Sequence, residues 1–115
     1  MTINEKQVYE ILKRIGVPFA NKGYDYLKRA VLLTSNDVSY LRSITTKLYP
    51  AIAKEFGTTS SRVERAIRHA IERAFDRTDP ETISSIVGNW DLKKSRPANA
   101  QFIGGLVEYI KFNEV

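Results

Sequence analysis

At 115 residues with 43% hydrophobic positions, the chain is sized for one domain around a modest core, and no apolar run approaches the roughly 18 to 20 residues that cross a bilayer. Zero cysteines exclude disulfides and thiolate metal sites, and a single histidine, His69, does not make a histidine-based metal site, so no cofactor is expected. The formal net charge of +5 points to a polyanionic partner, and the start Met1-Thr2-Ile3-Asn4-Glu5 has no signal pattern, which leads to the expectation of a cytoplasmic protein with no membrane association.

In chain order, Asn4 and Gln7 read as a capping box, Val8, Ile11, Leu12 and Ile15 follow at helical spacing, and Gly16 with Pro18 closes a first helix over about 4–15. Tyr24, Leu27, Val31 and Leu32 recur near every 3.6 residues and predict a second helix over 22–33. A third is expected over about 37–47 on Val38, Leu41, Ile44 and Leu48. Pro50 then falls in the first turn of a fourth helix, about 48–56, where proline is tolerated. Thr59 or Ser60 can cap a fifth helix, Ser61 and Glu64 form a second capping-box pattern, and Thr78-Asp79-Pro80 stops the helix after about 75. A short helix over 81–87, a loop over 88–99 containing Trp90 and Pro97, and a closing helix over 100–112 complete the chain. With no alternating segment in view, the fold class is all-α: about six helices around a helix-turn-helix, without a wing, in a single domain spanning 1–115.

The helix-turn-helix reading rests on residues 49–68. Ala53 at the fifth position lets the second helix cross the first closely, Gly57 at the ninth accepts the tight turn, and Val63 at the fifteenth buries the second helix's inner face. Ile52, Phe56 and Ile67 add apolar positions around them. On a wheel of about 100° per residue, Val63, Ile67, Ala70, Ile71 and Ala74 share one arc and Arg62, Arg65, Arg68, His69 and Glu72 the opposite one. Eight bases and four acids lie between Arg42 and Arg77, so most of the charge excess sits on this motif. An arginine fork matches the two major-groove acceptors of guanine, and Glu64, near the boundary of the arcs, can accept from cytosine N4. Ser60 and Ser61 suit phosphate oxygens at the helix start. Lys54 suits a flanking phosphate, as do Arg42 and Lys47, and His69 a helix-edge contact. The plainer alternative is a solvated, salt-bridged face in a basic protein-interaction module with only non-specific DNA affinity. A hydrolase or transferase reading finds no nucleophile and base at a recognisable spacing and no glycine-rich phosphate loop, and the scattered aromatics look like core and margins, not a base-stacking platform.

The run Leu48-Tyr49-Pro50-Ala51-Ile52-Ala53-Lys54-Glu55-Phe56, followed by Thr58-Thr59-Ser60-Ser61-Arg62-Val63-Glu64-Arg65-Ala66-Ile67-Arg68-His69-Ala70-Ile71-Glu72, resembles the C-terminal effector domain of the stage zero sporulation protein A family of spore-forming bacteria. The likeness extends to Ile15-Gly16-Val17-Pro18, Lys22-Gly23-Tyr24, Ile83-Ser84-Ser85 and Pro97-Ala98-Asn99. It implies a six-helix domain that binds double-stranded DNA at a box like TGTCGAA, self-associates head to tail on tandem sites, and reads bases and backbone through Arg62, Glu64, Arg65 and Arg68. The resemblance further implies contact with the sigma subunit of RNA polymerase, at positions matching Thr78, Thr82, Ser84 and Val87. Here the chain departs from the family: Arg77-Thr78-Asp79-Pro80 stands where a glycine-containing turn is expected, and Val87 where phenylalanine is expected. Family members carry an N-terminal phosphoacceptor domain, for which 115 residues leave no room; an isolated effector domain and a stand-alone relative both remain open.

Overall fold

The computed structural model describes residues 3–88 and 97–113, and over these the chain forms seven α-helices and one π-helical turn, with no strand. Helix α1 (Glu5–Arg14) begins with the expected capping box: the Gln7 N–H donates to Asn4 Oδ1 at 2.9 Å and the Asn4 N–H to Gln7 Oε1 at 2.7 Å. Its buried stripe of Val8, Ile11 and Leu12 faces α2 (Lys22–Asn36), which outruns the expected end by one turn because Ser35 and Asn36 fold back onto the Leu32 carbonyl.

The expected third helix is not continuous. It splits into a single turn, α3 (Ser39–Arg42), and a π turn (Ile44–Leu48) in which the Leu48 N–H donates back to the Ser43 carbonyl at 3.3 Å. Two local causes act together. Ile44, Thr45 and Thr46 are β-branched and fit a regular helix poorly, and Pro50 has no N–H for the Thr46 carbonyl and crowds it with its ring. Helix α4 (Tyr49–Phe56) follows directly, then α5 (Ser60–Arg77), α6 (Pro80–Val87) and α7 (Asn99–Asn113). Part of the expected 88–99 loop, Trp90 included, lies outside the described residues.

α2, α5 and α7 supply much of the core, with Leu27, Ala30 and Val31, Ile67, Ala70 and Ala74, and Phe102, Ile103 and Leu106 buried together. Two close crossings depend on glycine. A methyl at Gly23 would stand 2.9 Å from the Ala70 Cβ and closer still to the Ala66 carbonyl oxygen of α5. One at Gly105 would meet the Val87 backbone, its carbonyl carbon 2.7 Å away.

Candidate nucleic-acid interface

Helices α4 and α5 are joined by the turn that the residue register demands. Gly57 takes the left-handed conformation (φ 64°, ψ 40°), and the Thr58 N–H returns to the Ala53 carbonyl at 2.9 Å. Ala53 and Ile52 are buried, as are Val63 and Ile67, so the inner face of the motif is closed. Phe56 departs from its expected place on that inner face. It is 43% exposed and packs edge-on against Tyr26 of α2, ring centroids 5.2 Å apart. With the Arg29 Nε to Glu55 Oε2 pair at 2.9 Å, this contact ties the end of α4 to α2.

Thr59 caps α5: its Oγ1 accepts from the Arg62 N–H at 3.2 Å. The Ser61–Glu64 capping box is not formed. Glu64 turns instead along the helix, where both carboxylate oxygens accept from Arg68 Nη1, at 2.6 and 3.1 Å. Four residues separate the two, so they are neighbours on one face, and the carboxylate lies toward the helix N-terminus, the favourable order.

The buried residues of α5 are Val63, Ile67, Ala70, Ile71 and Ala74, the arc expected from the wheel. Arg62, Arg65, Arg68, His69 and Glu72 are exposed on the other side, Ser61 is exposed at the helix start, and Ser60 and Glu64 are half-buried at the margin. Lys54 stands exposed on α4. A depression of about 330 Å³ opens between α4 and α5, lined by Thr45, Tyr49, Ser60, Ser61, Glu64, Arg65 and Arg68. Hydroxyl residues at the start of α5 and two arginines therefore border one concave surface, residue types matched to phosphate oxygens and base-edge acceptors.

Lys47, a candidate phosphate contact in the sequence, is already engaged. Its Nζ lies 3.1 Å from Asp37 Oδ2, bonds Ser39 Oγ, and sits 4.5 Å from the centre of the Tyr40 ring. The Asp37 carboxyl is held at about 2, chiefly by hydrogen bonds from the Ser39 hydroxyl and N–H and then by Lys47.

Asn99 and Tyr49, which sequence reasoning left aside, are joined next to this face. Asn99 Nδ2 donates to Tyr49 Oη at 2.9 Å and to the Glu64 carbonyl at 3.2 Å. Burial pushes the Tyr49 phenol above its ordinary value, and the hydrogen bond from Asn99 opposes that shift. An asparagine after Pro97-Ala98 at the head of a helix looks like an ordinary cap, which hides its long-range role.

The positions matched to the sigma contact lie apart from this face. Thr78 caps the C-terminal end of α5 and is half-buried, the Thr82 hydroxyl donates to Asp79 Oδ2 at 3.2 Å, and the Ser84 hydroxyl reaches the Gly88 carbonyl at 3.4 Å. Val87 is only 4% exposed, so its side chain serves the seam between α6 and α7 and offers no surface to a partner. Among the described residues no helix is long and apolar enough to cross a membrane.

The family model described as "Sporulation initiation factor Spo0A C terminal" matches residues 8–110, which takes in every helix from α2 to α6 and most of α1 and α7. The chain belongs to the family of Spo0A C-terminal domains, DNA-binding effector domains of sporulation response regulators that regulate transcription and are not an enzyme family.

Proposed function

We propose that α5 enters the major groove of duplex DNA and reads a short box resembling TGTCGAA, with Arg62, Arg65 and Arg68 donating to guanine acceptors and Glu64 accepting from cytosine N4. Ser60 and Ser61 meet a phosphate at the helix start, and Lys54 and His69 meet flanking phosphates. The supporting observation is the division of α5: one arc sealed behind α2 and α4, the other presenting a continuous arginine-rich stripe. On tandem boxes, copies of the domain sit head to tail, and linked sites raise the effective concentration of the second copy. The exposed part of α6 around Thr82 and Ser84, with Thr78, faces the sigma subunit of RNA polymerase.

Arg65→Ala on duplexes with single base changes tests the assignment. Loss of about 1 to 3 kcal/mol at the specific site, with relaxed preference at one position, is expected. Unchanged affinity for both specific and random duplexes would remove α5 from the reading role and favour a basic module that binds an acidic protein partner.

A further inference from the structure

We infer that Asn99 is a positioning residue for base recognition: from the head of α7 it pins the first turns of α5 to the start of α4 and so sets the angle at which Glu64, Arg65 and Arg68 meet DNA. This rests on the DNA-reading role proposed above. A single side-chain amide touches two other elements here, donating to Tyr49 Oη at 2.9 Å and to the Glu64 carbonyl at 3.2 Å.

Apolar packing is non-directional, and along α5 it is densest from Ile67 to Ala74. Toward the N-terminus only Val63 is buried, and the cap from Thr59 is internal to the helix. A second lone pair on the Glu64 carbonyl can take the Asn99 N–H beyond its own helical bond, so the contact fixes direction where the core does not. Tyr49, 6% exposed, is itself part of the buried core. Tyr49, Glu64 and Arg68 line both the depression at the reading face and a second one of about 480 Å³ that contains Asn99, so the hydrogen-bonded node is the wall between them. Base-edge forks tolerate little misplacement, and a small rotation of the α5 start is felt in discrimination more than in phosphate attraction.

The test compares wild-type protein with Asn99→Ala and Tyr49→Phe by anisotropy on a box duplex and a scrambled duplex, alongside amide hydrogen exchange of the free proteins. Asn99→Ala is expected to lower the ratio of specific to scrambled affinity by about five- to tenfold, leaving scrambled affinity and salt slope unchanged, while exchange quickens in the first turns of α5. Tyr49→Phe keeps the ring and the Glu64 bond, and a smaller fall is expected. A wild-type preference undiminished in Asn99→Ala overturns the inference alone, as do affinities for both duplexes falling together with the melting temperature. No preference in the wild type overturns the DNA-reading proposal and this inference with it. Should Asn99→Ala not fold, a Tyr49→Phe ratio equal to that of wild type overturns the inference.

Discussion

Glu64 and Arg68 hold one another in the free protein, yet both are assigned to DNA. Energies settle the competition. An exposed i,i+4 pair contributes about 0.3 to 0.5 kcal/mol, whereas a good base contact is worth about 1 to 3 kcal/mol, so the pair opens readily against duplex. Glu64→Gln should therefore change stability by less than about 0.5 kcal/mol while weakening preference for cytosine, as read by thermal melting and by duplexes with single base changes. Gly57 and Gly23 make a second contrast at this scale. Gly57→Ala meets no atom within 4 Å, so only its left-handed backbone opposes the methyl, at about 1 to 2 kcal/mol in a urea titration. Gly23→Ala has ordinary dihedrals but overlaps the α5 backbone at Ala66; α2 and α5 must separate, at a cost of about 1 to 3 kcal/mol, and DNA discrimination should fall with stability. Gly57 was legible in the sequence because its turn is local. Gly23 carried no such signal, because nothing local says which helix will cross it.

The two amphipathic faces of α5 follow from period alone, and each residue assigned to the buried arc is buried. Where helices start and break was less legible. Three hydroxyl residues in a row, Thr59, Ser60 and Ser61, could each begin α5, and geometry selects Thr59 because its extended backbone aims Oγ1 at the Arg62 N–H. The π turn at Ile44–Leu48 was hidden by apolar periodicity that continues across it. What braces this junction is the Asp37, Ser39 and Lys47 cluster. The Asp37 carboxyl, depressed from 3.8 to about 2, stabilises the folded state above pH 3.8, and that contribution fades as pH falls toward 2. Asp37→Asn should accordingly lower the neutral plateau of a melting-temperature curve and flatten its acid limb between pH 4 and 2, with the variant and wild-type curves converging near pH 2.

At the scale of the molecule, α2 backs α5 through the Gly23 crossing and braces α4 through Arg29–Glu55 and Tyr26–Phe56, while α7 reaches α4 and α5 through Asn99. The all-α class, the order of helices and the arginine stripe were readable because each rests on periodicity or local turn chemistry. The α7 contribution was not, since it joins residues 50 and 35 positions apart. Val87 shows the same limit from the other side: its match to a contact surface ignored the Gly105 seam that buries it. If α5 is the reader, charges elsewhere act mainly through phosphate. Lys54→Ala should then weaken all duplexes alike and reduce the slope of log affinity against log salt by about 0.9.

Whether the α5 stripe reads bases is decided by an anisotropy titration of wild-type protein against a TGTCGAA-containing duplex and a scrambled duplex of equal composition, at two salt concentrations. A preference for the box that persists at the higher salt is expected, because base contacts do not depend on counterion release. Equal affinities that collapse together as salt rises would contradict it and leave only electrostatic attachment to the phosphate backbone.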